Sequence, residues 1–142
     1  MRAYAPVVEH AEAAGLSIDF EGMQRTPNTL DAHRLIHWAG IESRQTAAVS
    51  ALFQAYFVDA RDIGDHEVLA DIADGIEMDA AVVSKLLKSD ADAEDIRKRD
   101  AHSRQMGISS VPTFIVAGKH AVPVAQPPEL WKKVITELAG DT

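Results

Sequence analysis

The stretch from Gly107 to Gly118, Gly-Ile-Ser-Ser-Val-Pro-Thr-Phe-Ile-Val-Ala-Gly, restricts the fold more than any other part of the chain. Val111 to Val116 is β-branched and aromatic except for Pro112, which predicts a short, fully buried strand entered from a loop. A proline cannot donate to a ladder, so its place at the mouth of such a strand needs a reason. The plain reason is an ordinary trans proline on an edge strand. The functional one is a cis Val111–Pro112 bond, cheap only before proline, that turns Val111 outward and offers its N–H and C=O to an extended peptide. Gly118-Lys119 then predicts a tight turn into His120–Val124, a β-hairpin.

Upstream of the hairpin the periodicity is helical. Residues 3–14 form an alanine-rich helix stopped by Gly15, with Pro6 in its first turn. Leu16, Ile18 and Phe20 alternate with polar residues, which reads as a short strand, and Glu21 to Pro27 as a loop. Asn28 or Thr29 caps a helix to about Ala39, with Gly40 behind it and Ala32, Leu35, Ile36 and Ala39 on its buried face. Ser43 caps the next helix, to about Val58, whose apolar stripe is Val49, Leu52, Phe53, Tyr56 and Phe57. Asp65 caps a helix burying Val68, Leu69, Ile72 and Ala73, and Asp79 one burying Val82, Val83, Leu86 and Leu87. A charged helix runs from about Ala93 to Met106. Pro127 and Pro128 open a last helix whose inward residues are Trp131, Val134, Ile135 and Leu138. The fold class expected is α+β and mostly helical. Residues 1–106 form a helical domain and residues 107–142 a ββα part, joined in one compact unit.

Three segments in order carry a family resemblance: Pro27-Asn28-Thr29-Leu30-Asp31-Ala32-His33-Arg34-Leu35, Leu52-Phe53-Gln54-Ala55-Tyr56-Phe57, and Gly107-Ile108 with Val111-Pro112-Thr113-Phe114. Together the chain resembles the DsbA-type oxidoreductases of the thioredoxin-like fold, and among them the FrnE-like subgroup. The resemblance implies the C-terminal part of a thioredoxin-like fold with a DsbA-type helical insertion. It implies Ser110, Val111, Pro112 and Gln126 as substrate-binding positions, and Asn28 and His33 as a structural motif holding the insertion. Val124 stands where relatives have the glycine of a Gly-Ala-Gln segment. Family chemistry needs a Cys-x-x-Cys at the start of the first helix, and this chain has no cysteine. The expectation is therefore a fragment or truncated form with no catalytic residue of its own, inactive alone in dithiol exchange. A relative of glutathione-dependent kappa-class transferases and 2-hydroxychromene-2-carboxylate isomerases is the alternative, with glutathione as its ligand. A non-catalytic dimeric binding module is a third reading.

Other candidates have plainer explanations. His33 and His37 share one side of a helix at metal-ligand spacing, but Arg34 occupies the position a zinc-protease glutamate would take, and no third ligand is evident. No metal and no cofactor is expected. Asn28 reads as an N-cap, Gln126 as a polar residue at a helix start, and the aromatic stripe as core. A net charge of −8 argues against nucleic-acid or anionic-membrane binding. No apolar run approaches the ~20 residues of a membrane span. The expected partners are an extended peptide or protein thiol and a second copy of the chain, in the cytoplasm.

Overall fold

The computed structural model describes residues 4–23 and 26–140. Ala3, which the sequence places in the first helix, and part of the 21–27 loop lie outside the described residues. The chain divides into two compact units, Met1–Lys98 and Arg99–Thr142. The division falls within a helix, ahead of the residue-106 boundary expected from the sequence.

The first unit is helical: α1 (Ala5–Ala13), α2 (Leu30–Ile41), α3 (Gln45–Phe53), α4 (His66–Gly75), α5 (Ala80–Lys88) and the start of α6 (Ala93–Gln105). Its core is built from Leu35 and Leu69, with Trp38, Leu52, Ile72, Met78, Val83 and Leu87. The alanines Ala39, Ala48 and Ala73 are fully buried between them. Small side chains at these positions let α2, α3 and α4 approach closely, and the leucines fill the space between.

Two helices begin as the sequence predicts. Asp65 Oδ1 accepts from Glu67 N–H at the start of α4, and Asp79 Oδ1 from Ala81 and Val82 N–H at the start of α5. Each carboxylate satisfies orphan donors and faces the positive end of the helix dipole. Asn28 caps α2 one residue further back, its Oδ1 accepting from Leu30 N–H at 3.0 Å.

The helix ends differ from expectation. Gly40 lies inside α2, and the left-handed residue that stops this helix is Ser43, at φ 60°. Arg44 N–H bonds Ala39 C=O and Ser43 N–H bonds Gly40 C=O, the paired bonds of a Schellman motif. Ser43 therefore ends α2 and does not cap α3, whose N-cap is Arg44 without a side-chain bond. Glu77, at φ 63°, ends α4 with the same pair of bonds. Gly15 and Gly107 do so for α1 and α6, as glycines should.

The Leu16–Phe20 segment forms no strand. Asp19 N–H bonds Phe57 C=O, and the Phe20 ring stacks on Tyr4 at 4.5 Å, so the apolar alternation is used by loop packing. The helix expected through Val58 becomes a π-helical turn over Gln54–Val58, closed by Asp59 N–H on Gln54 C=O. Ala48, Leu52 and Ala55 form the buried line of this segment, whereas Phe53 is 60% exposed. Val82 on α5 is also exposed rather than buried.

The second unit holds the rest of α6, β1 (Thr113–Val116), β2 (His120–Pro123) and α7 (Pro128–Gly140). The strands are antiparallel, in register Thr113↔Pro123, Phe114↔Val122, Ile115↔Ala121 and Val116↔His120. Ala117 and Gly118 both take positive φ in the turn, and Lys119 N–H closes it on Val116 C=O. Trp131 of α7 meets Phe114 edge-on at 5.0 Å, over the face where Val122 is buried. The strand is not fully buried as the sequence suggested. Phe114 and Ile115 are exposed, because among the described residues β1 has β2 as its sole strand neighbour. Ile135 is likewise exposed on α7. No helix among the described residues is long and apolar enough to cross a membrane.

Candidate functional site

The candidate site lies at the end of the hairpin where β1 begins. The Val111–Pro112 peptide bond is cis. Val111 is 88% exposed, so its apolar side chain is presented to solvent against the usual preference. Thr113 Oγ1 donates to Ser110 C=O at 2.7 Å, closing a short loop around the proline. Across the sheet, Thr113 pairs with Pro123, and Gln126 Nε2 donates to Pro123 C=O at 2.9 Å. Register and hydrogen bonds thus bring Gln126 to the same end of the hairpin as the consecutive residues Ser110, Val111 and Pro112. Thr113 was not among the residues singled out. A threonine three residues after a serine in a loop is the local signal that could have found its bond.

Val124, between β2 and Gln126, sits at φ 57°. A β-branched residue in the left-handed region carries strain of about 1–3 kcal/mol, and its side chain is half exposed and has little burial to lose. Val124→Gly should raise the stability of the second unit by about 1 kcal/mol, after allowing for the freer unfolded chain. A thermal melt showing no rise, or a fall, would contradict the assignment.

Asn28 and His33 lie together at the start of α2 in the first unit. His33 is exposed, and its Nδ1 donates to Thr29 C=O at 2.8 Å, the backbone-bonded histidine expected, though less buried. Gly64 approaches this segment closely: a Cβ there would stand 3.2 Å from Asn28 C=O. Asn28 therefore serves both as cap and as a packing surface for the 62–65 loop. Among the described residues no group of histidines and carboxylates has the geometry to hold a metal ion.

The polar centre of the first unit is Arg34, which the sequence reading passed over. It is 3% exposed. Its five N–H donors reach Asp31 Oδ1 and the carbonyls of Leu86, Leu87, Ser89 and Ala91, at 2.8–3.4 Å. The guanidinium stands 5.1 Å from the Trp38 ring centre, and Trp38 Nε1 donates to Asp92. Arg34 thus collects the orphan carbonyls at the end of α5 and fixes the turn into α6. The Asp31-x-x-Arg34 spacing was the local signal. Its partners, over 50 residues later, left none.

Asp31 also accepts from His66 Nε2 at 2.7 Å. Burial would raise the Asp31 pKa, but the hydrogen bonds and charges of Arg34 and His66 outweigh it and hold the carboxyl below its ordinary value. A depressed folded pKa gives stability that is present above the unfolded value, near 4, and lost as pH falls through the folded value. Acid titration of the wild type should therefore lose stability below about pH 4, and Asp31→Asn should flatten that limb while being less stable at pH 7. Parallel acid limbs for the two proteins would contradict it.

Residues 5–136 match the DSBA-like thioredoxin domain. The chain belongs to this family. Over 99% of its length this DSBA-like domain superposes, with a TM-score of 0.86 and 29% identity, on the crystal structure of a probable DsbA oxidoreductase from Streptomyces coelicolor. It is 27% identical over 128 residues to YwbO, an uncharacterized protein of Bacillus subtilis, across 89% of this chain. The domain spans 61% of the Streptomyces protein and 64% of YwbO.

Proposed function

We propose that this DSBA-like domain is the substrate-side part of a DsbA-type thiol–disulfide oxidoreductase of the FrnE-like subgroup, acting with a Cys-x-x-Cys unit that these 142 residues do not contain. The likeness to the probable DsbA oxidoreductase over nearly the whole chain carries this reading. The Val111–Val116 edge supports it chemically. Among the described residues β1 has no strand neighbour on the side away from β2, and an extended peptide can add there as a strand, held by main-chain hydrogen bonds.

The division of labour follows from thiol chemistry. A substrate thiolate attacks one sulfur of the enzyme disulfide, forming a mixed disulfide and releasing the other enzyme cysteine as a thiolate. The second substrate thiolate then attacks the substrate sulfur of the mixed disulfide and releases the remaining enzyme thiolate. The substrate leaves oxidised and the dithiol reduced. None of these steps can use a hydroxyl, so Ser110 takes no electron-transfer role. The hairpin edge would align the peptide while the dithiol reacts. The same edge is the proposed meeting place for two copies of the chain, because the unpaired outer edge of a strand in a two-stranded sheet invites another strand.

Titrating the 15N-labelled chain with a short extended peptide should shift the backbone amides of residues 111–116 saturably, with little change in the first unit. Shifts confined to the helical unit, or none at concentrations where strand addition is measurable, would remove the proposed site.

A further inference from the structure

The helical unit carries a second surface unrelated to the hairpin. A cleft of about 180 Å³ opens between α2 and α5, floored by Trp38, Met78 and Val83. These three side chains are buried, whereas Ile41 and Val82 stand at its mouth 71% and 51% exposed. Leu86, Glu42 and Asp79 complete the lining, and none of its described residues is basic. Trp38 cannot swing to close it: its ring faces Arg34 and its Nε1 is bonded to Asp92. The Trp38 part of the floor is thus held in place by its own contacts before anything binds, which lowers the cost of binding.

Size and charge select the occupant. Small-molecule pockets commonly run from about 300 Å³ upward, so this one accommodates one or two apolar side chains rather than a whole ligand. The exposed Glu42 carboxylate beside an apolar mouth favours a cation flanking that anchor, with Asp79, whose Oδ1 also caps α5, adding to the negative field. We propose that the α2–α5 cleft docks a partner polypeptide through an apolar side chain flanked by lysine or arginine, independently of the hairpin edge.

The test follows the Trp38 indole N–H resonance of the intact labelled chain during titration with acetyl-KKLLKK-amide. Acetyl-EELLEE-amide and acetyl-KKAAKK-amide are the controls. Saturable shifts are expected with the lysine–leucine peptide, and at least tenfold weaker binding with either control. Ile41→Lys should weaken the lysine–leucine peptide at least tenfold. Glu42→Lys, which places a cation favourably at the end of α2, should keep the fold and narrow or reverse the preference over the glutamate peptide. Both positions are exposed, so the variants remain folded. Equal binding of all three peptides, no shift at Trp38, or indifference to both substitutions would overturn the proposal. So would saturation by benzylamine alone with equal affinity, which assigns a small amine. Concentration-dependent broadening without peptide that Ile41→Lys abolishes assigns the face to a second copy and overturns it equally.

Discussion

Arg34→Ala should cost about 3–5 kcal/mol, a large share of the 5–15 kcal/mol that holds a typical domain together. The substitution strands several groups at once. Asp31 loses its arginine partner, and the carbonyls of Ser89 and Ala91 lose the Arg34 donor, whereas Leu86 C=O keeps its bonds from Ser89. Each unmade bond to a buried group carries its own desolvation cost of about 1–3 kcal/mol, relieved where water can enter. The Trp38 ring loses the planar cation stacked against it. Arg34→Lys should recover only part of the loss and remain about 2 kcal/mol below wild type, because one ammonium cannot present five donors in a plane. Urea unfolding followed by far-ultraviolet circular dichroism measures both. A loss under 1 kcal/mol for the alanine variant would mean that the α5–α6 turn holds itself.

The contrast between Arg34 and the capping aspartates shows what the chain makes legible. Asp65 and Asp79 announce their helices because cap and helix are neighbours in sequence. Arg34 sits inside a helix whose apolar face was correctly read at Ala32, Leu35 and Ala39, yet its buried role depends on carbonyls of the distant α5–α6 turn. Local periodicity carries no record of such a partner. The helix ends were misread for a related reason. Glycine marks a left-handed stop when it is used, at Gly15 and Gly107, but Ser43 and Glu77 take that conformation without it, so α2 runs through Gly40. The aromatic stripe was legible at Leu52, in the core, and at Tyr56, which packs against it, but not at Phe53, which lies exposed where α3 passes into the π-helical turn. In the second unit, Ser110, Val111, Pro112 and Gln126 were legible as a set through resemblance. The strand register then explains their convergence. The buried strand was overread, since β-branched residues mark a strand but do not say how many neighbours it has.

The second large effect concerns turnover. The 142-residue chain should neither reduce insulin disulfides nor oxidise a dithiol peptide above background, because thiol–disulfide exchange requires a thiolate and the chain has no cysteine. Stability, folding and peptide affinity do not bear on this, so the loss is complete rather than partial. The chain's contribution appears when a dithiol is supplied. On the proposed function, an upstream strand–helix segment carrying Cys-x-x-Cys at its helix N-terminus, joined to this chain, would bring a low-pKa thiolate to a peptide bound at the hairpin edge.

The oxidation rate of a dithiol peptide by three samples therefore tests the central claim most directly: the chain alone, the Cys-x-x-Cys segment alone, and the two joined. The account expects background for the first, slow oxidation for the second and at least a tenfold faster rate for the third. Turnover by the cysteine-free chain, or a joined protein no faster than the segment alone, would contradict it.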